Sequence, residues 1–224
     1  MTNRIDFIKE GNKKKMLVNV LLDESGSMGL CKETTISGIN EYIQSLQATQ
    51  KREGGEMLFS LTKFSSEKTD LMYIVRPINS IEKLTDKTYM PNGGTPLYDA
   101  LGQTIKKVVK ELEGRVNKPK VLILIMTDGE ENSSKEYTKE KIVEMIKEKE
   151  KDKWTFVYLG ANQDSWSNAQ QIGLSKGNVA NCSYATKDWY SPLLRATNVM
   201  YCSSNATTDS YFADAEQDKG KEEK

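Results

Sequence analysis

A nearly all-aliphatic run, Leu17-Val18-Asn19-Val20-Leu21-Leu22, stops at Asp23-Glu24-Ser25-Gly26-Ser27-Met28. The run is too short for a helix and apolar at nearly every position, so it predicts a strand buried on both faces of a parallel sheet. Its polar end then lies at the carboxyl edge of the sheet, where open α/β sheets bind ligands. In Asp23-x-Ser25-x-Ser27 a turn helped by Gly26 aims alternate side chains at one point. Hydroxyls beside a carboxylate are hard oxygen ligands for Mg²⁺, Mn²⁺ or Ca²⁺. Ser and Asp are also the preferred helix N-caps, so the tripeptide by itself fits a capping role equally well.

Two later stretches repeat the design. Asn92-Gly93-Gly94-Thr95-Pro96-Leu97 places one hydroxyl after two glycines and before a proline suited to a first helical turn. Val121-Leu122-Ile123-Leu124-Ile125-Met126-Thr127-Asp128-Gly129 is a second buried strand ending in a carboxylate. Together these three stretches resemble the von Willebrand factor A-type domain over roughly residues 15 to 205. The resemblance extends to that family's metal-ion-dependent adhesion site of Asp-x-Ser-x-Ser, Thr and Asp, and the style of the chain resembles the stand-alone intracellular form of bacteria or phage.

The resemblance implies a doubly wound α/β fold with a mostly parallel six-stranded sheet, one antiparallel edge strand and helices on both faces. It implies that Ser25 and Ser27 bind the metal directly, and that Thr95 does so in one state. Asp23 and Asp128 act largely through water or as hydrogen-bond anchors. The implied cofactor is Mg²⁺, with Mn²⁺ or Ca²⁺ as alternatives, and the implied partner is a protein whose Glu or Asp completes the coordination. A switch of Thr95 and Asp128 between direct and water-mediated contact would couple ligation to the last helix.

Other features narrow the function. Lys+Arg and Asp+Glu both number 32, so the net charge is zero, and no basic stripe points to nucleic acid. There is no histidine, which removes His-based acid/base chemistry and His ligation. Cys31, Cys182 and Cys202 lack metal-type spacing and fit free thiols in a reducing compartment. Met1 to Glu10 has no signal-peptide apolar core, and no run approaches the ~20 apolar residues of a membrane span. A cytoplasmic protein is expected, with a polar lead-in over 1–14, the domain over 15–205 and a disordered polar tail over 206–224.

The pattern predicts helices over 33–50, 97–113, 137–151, 165–173 and 190–202. It predicts strands over 57–64, 70–76, 120–127, 154–159 and 178–183, with the short 65–69 link making 57–64 and 70–76 an antiparallel hairpin. An edge pairing near Ile5 to Ile8 is a further expectation. Asp99, one turn past Thr95, is a candidate for orienting Thr95 or a metal-bound water, or else an exposed or capping carboxylate. Glu24, Glu130 and Glu131 read as carboxylates solvating the cleft rim, or as a second Ca²⁺ site. Tyr89, Tyr98 and Trp166 read as core packing or as partner anchors.

The alternative functions are a Mg²⁺-dependent phosphohydrolase and a structural subunit whose metal only stabilises the fold. Against the first, the chain has no Asp-x-Asp in the Asp23 position and no Gly-rich phosphate loop.

Overall fold

The structure is a computed structural model, and it describes residues 14–160, 165–181, 189–203 and 210–212. The strands are β1 (Lys15–Asp23), β2 (Glu56–Phe64), β3 (Thr69–Pro77), β4 (Lys120–Thr127), β5 (Thr155–Gly160) and β6 (Val179–Asn181). The helices are α1 (Lys32–Glu53), α2 (Leu97–Leu112), α3 (Lys139–Lys151), α4 (Ser165–Gln171) and α5 (Ser191–Cys202). One six-stranded sheet runs in the order β3-β2-β1-β4-β5-β6. Every pairing is parallel except β2–β3, which puts the antiparallel hairpin at the edge.

Period-two alternation with cover on both faces explains why β1 is apolar at nearly every interior position. Met16, Val18, Val20 and Leu22 pack in the core layer shared with α1 and α5, while Leu17 and Leu21 pack in the layer shared with α2 and α3. Strand β4 divides in the same way, with Leu122, Leu124 and Met126 on the first side and Val121, Ile123 and Ile125 on the second. Fully burying one such side chain contributes about 1.5–3 kcal/mol, so these two strands anchor both layers.

The helices present the stripes that their spacing predicts. Helix α1 buries Ile39, Tyr42, Ile43 and Leu46, and α2 buries Leu97, Leu101, Ile105, Val108 and Leu112. The packing of α1 against α5 and the residues leading into it depends on Gly38, where a β-carbon would collide with the Trp189 indole. It is fastened by a hydrogen bond of 2.7 Å between Tyr42 Oη and Thr197 Oγ1. Because β1 is flanked by β2 and β4, the winding reverses between β1 and β4, and their carboxyl ends open a crevice at the switch point.

Several boundaries differ from the sequence reading. A short 3₁₀ helix, Gly26–Cys31, carries Ser27 and leads into α1, which runs on to Glu53 rather than ending at residue 50. Helix α3 begins at Lys139 rather than Tyr137, because Thr138 caps it by accepting from Lys141 N–H. The expected disordered tail is corrected at residues 210–212. Tyr211 is buried there, its N–H donates to Asn178 Oδ1 at 3.0 Å and its hydroxyl lies 2.6 Å from Thr197 Oγ1. An aromatic ring supplies enough apolar surface to dock a short segment that is otherwise polar. The expected pairing near Ile5 to Ile8, and the expected strand residues 182 and 183, lie outside the described residues.

Candidate metal centre

Asp23 ends β1 fully buried, and its carboxylate organises the loop that follows. Oδ1 accepts the Ser25 N–H at 2.7 Å, and Oδ2 accepts the Thr127 hydroxyl from the end of β4 at 2.6 Å. The first bond forms an Asx-type turn that sends Ser25 and Ser27 in the same direction. Ser25 Oγ and Ser27 Oγ lie 3.2 Å apart, and Ser27 Oγ donates to Asp128 Oδ1 at 2.7 Å. The third loop closes on the same point: a β-carbon on Gly129 would lie 3.3 Å from Thr95 Oγ1 and 3.9 Å from Ser27 Oγ. Thus Asp23, Ser25, Ser27, Thr95 and Asp128, spread over more than a hundred residues of chain, meet in the β1/β4 crevice.

Burial raises the Asp23 carboxyl to about 6 from 3.8, against the pull of the Thr127 and Ser25 hydrogen bonds. Among the described residues no group of three or more His, Cys, Asp or Glu side chains converges. The donors brought together here are three hydroxyls and two carboxylates, a hard set that fits a small divalent ion rather than zinc-type S/N coordination.

The loop after β4 holds Thr95 in place. Asn132 Oδ1 accepts the Thr95 N–H at 2.8 Å, and Thr95 C=O accepts the Asn132 N–H at 3.1 Å. Glu131 accepts from Tyr98 N–H at 2.9 Å and Ser134 Oγ–H at 2.7 Å on one oxygen, and from the N–H groups of Ser133 and Ser134 on the other. A carboxylate at the first turn of α2 fills donors that lack intrahelical partners and complements the helix dipole. Glu131 is therefore occupied with the loop and does not solvate the rim.

Asp99 likewise accepts three backbone N–H groups, from Lys135 at 2.7 Å, Glu136 at 2.9 Å and Tyr137 at 2.8 Å. These bonds tie the 135–137 segment, which precedes α3, to the first turn of α2. Glu130, two residues after Asp128, is exposed.

Glu24 departs most from expectation. It is 1% exposed, and both its oxygens face Lys63 Nζ, at 3.1 and 3.3 Å, so it is a buried ion-pair partner and not a rim carboxylate. Tyr89 is also fully buried, its hydroxyl donating to Asp23 C=O at 2.6 Å, which rules it out as a partner anchor. Tyr98 is half-buried and Trp166 is exposed. Lys63, Thr127 and Asn132 were missed at the sequence level. A lone lysine inside the apolar Met57–Phe64 strand was the available signal for the first, and no local signal marks Asn132.

The family model for the von Willebrand factor type A domain matches residues 18–196. The chain belongs to this family. Domains of the family are metal-dependent protein-interaction modules. No curated protein matches the chain by sequence. Among solved structures, it is similar to the manganese-loaded TRAP protein of Plasmodium vivax at 17% identity and TM-score 0.54, covering 81% of this chain and 74% of that one. It is similar to proximal thread matrix protein 1 of the mussel byssus with a zinc-occupied MIDAS motif, at 14% identity and TM-score 0.55, covering 84% and 46%. It is also similar to the open conformation of the pilus adhesin SpaC of Lactobacillus rhamnosus GG, at 15% identity and TM-score 0.62, covering 85% and 31%. The von Willebrand factor A-type chain thus spans under half of the mussel protein and about a third of the adhesin. At these identities the likeness is one of fold. Among the described residues, no helix is long and apolar enough to cross a membrane.

Proposed function

We propose that the chain is a divalent-metal-dependent protein-binding module, with Ser25, Ser27 and Thr95 as direct ligands and Asp23 and Asp128 as anchors acting through hydrogen bonds or water. The observation that carries this reading is the 2.7 Å bond from Ser27 Oγ to Asp128 Oδ1, which joins the loops after β1 and β4 beside Thr95. A divalent cation there, Mg²⁺ first and Mn²⁺ or Ca²⁺ as alternatives, supplies a Lewis-acidic position still open to an anionic oxygen. The chain's own residues do the rest. Asp23 shapes the serine loop, Asn132 holds Thr95, and the exposed Ser27 and Glu130 mark the mouth through which a partner's Glu or Asp enters.

An adaptor or assembly subunit within the cell is the setting that fits. Cys31 and Cys202, the cysteines that can be described, are both free thiols. The phosphohydrolase alternative gains no general base from Glu24, Glu131 or Asp99, whose oxygens are filled by Lys63 or by N–H and O–H donors. The test is affinity capture of partner proteins with Mg²⁺ or with EDTA, using the unmodified chain and Asp128→Ala. Partners retained with Mg²⁺ and lost in both other cases support the reading. Retention in EDTA overturns it.

A further inference from the structure

We propose that the buried Glu24–Lys63 pair is a positioning device for the metal centre, fastening the 88–94 segment that sets the backbone of the serine loop and of Thr95. This rests on the metal-centre reading above, and goes beyond it by giving a role to two residues that are not ligands.

Lys63 and Glu24 have side-chain exposures of 3% and 1%, so neither charge is solvated by bulk water. A buried ammonium is tolerated only where its donors are all used. Here Lys63 Nζ faces both Glu24 oxygens, donates to Thr88 C=O at 2.5 Å, and pairs with Asp70 Oδ2 at 3.2 Å. Glu24 Oε1 in turn accepts the Met90 N–H at 2.6 Å. The two charged side chains therefore grip the backbone on either side of Tyr89, one at the carbonyl of residue 88 and the other at the N–H of residue 90.

What they grip leads directly to the site. Tyr89 Oη donates to Asp23 C=O at 2.6 Å, and Asn92 N–H donates to Glu24 C=O at 2.8 Å. Gly26 N–H donates to Gly93 C=O at 2.9 Å, between the two serines. Thr95 follows two residues later. Strand register supplies the partner: Leu22 pairs with Lys63 and Asp23 with Phe64, so the lysine lies one strand over from the turn it supports. Asp70, on the edge strand opposite Lys63, completes the cluster.

An ion pair kept only for fold stability is replaceable by an apolar pair of similar size. A positioning pair is not, because the apolar pair cannot hold Thr88 C=O and Met90 N–H. The experiment compares the full chain with Glu24→Gln and with the double variant Glu24→Leu/Lys63→Met. It reads Mn²⁺ affinity, thermal unfolding in EDTA, and amide hydrogen exchange in EDTA. In the double variant, melting close to the unmodified chain is expected together with faster exchange at Gly26, Met90 and Asn92. Mn²⁺ affinity is expected to fall about 10-fold or more, the usual loss when a supporting partner of a ligand is removed. Glu24→Gln keeps an acceptor for Met90 N–H, and its exchange at Met90 should stay slow.

A double variant with both exchange and Mn²⁺ affinity unchanged overturns the proposal. If the unmodified chain binds no Mn²⁺, the metal-centre reading fails on its own account, while unchanged exchange in the double variant still separately overturns the fastening role. Should the double variant not fold, Glu24→Gln with rapid exchange at Met90 and affinity equal to that of the unmodified chain overturns it.

Discussion

Replacing Asp23 by Asn should make the metal-free protein more stable while removing its metal affinity. Asp23 is fully buried, and burial raises its carboxyl from 3.8 to about 6. At pH 8 the folded chain therefore carries an ionised group in a position that favours the neutral one. A rise from 3.8 to about 6 costs about 3 kcal/mol of stability above pH 6.

The sign follows from proton counting. Below pH 3.8 the group is protonated in both states. Between 3.8 and about 6 the folded state keeps a proton that the unfolded chain has lost, so stability falls as pH rises through that window and is level above it. Asn keeps an acceptor for Ser25 N–H, and its amide can donate to Thr127 Oγ1, whose hydroxyl can turn to Gly129 C=O, already 3.2 Å away. With the charge gone and the bonds largely kept, a gain of about 1–3 kcal/mol is expected at pH 8, or about 3–10 °C in melting temperature. Urea unfolding in EDTA at pH 4.5 and pH 8 is the assay. Asp23→Asn should lose the pH dependence across that window, and Mg²⁺ should no longer raise its melting temperature. A variant less stable than the unmodified chain at pH 8, or an unmodified chain equally stable at both pH values, would refute the reasoning.

Other perturbations separate binding from folding. Gly129→Ala puts a methyl 3.3 Å from Thr95 Oγ1; Mn²⁺ affinity measured by calorimetry should weaken about tenfold, with melting in EDTA nearly unchanged. Asp99→Ala leaves three N–H groups of residues 135–137 without their acceptor. Chemical unfolding in EDTA should show a loss of about 2–4 kcal/mol. Gly94→Ala drives a β-carbon to 2.7 Å from Asn132 Oδ1, so it should weaken both stability and Mn²⁺ affinity, because the same atom holds Thr95 N–H.

The parts of the fold that sequence made legible are those where burial is written into composition. β1 and β4 are apolar on both faces, and each runs into a carboxylate, so two buried strands followed from local pattern; their adjacency at the switch point was implied only by the family resemblance. The antiparallel edge followed from a link too short for a crossover. Glu24 was illegible because its neighbour is decided by strand register, Leu22 against Lys63, which a linear reading does not contain. Glu131 was misjudged for a related reason. A carboxylate in a polar loop reads as solvated, yet Glu131 is filled by the Tyr98 N–H of α2 and by the N–H groups of its own loop at Ser133 and Ser134. That same loop, tied to α2, delays the start of α3. Tyr211 was missed because a polar stretch with a single aromatic pair gives little periodic signal, although one ring suffices to dock it.

The account turns on hydroxyls and carboxylates from three loops gathering around one hard cation. Electron paramagnetic resonance titration with Mn²⁺ tests this most directly, on the unmodified chain and on Ser27→Ala, Thr95→Ala and Asp128→Ala. One tight Mn²⁺ per unmodified chain is expected, with affinity reduced in every variant while each still melts cooperatively in EDTA. Undiminished Mn²⁺ binding in those folded variants would contradict the account.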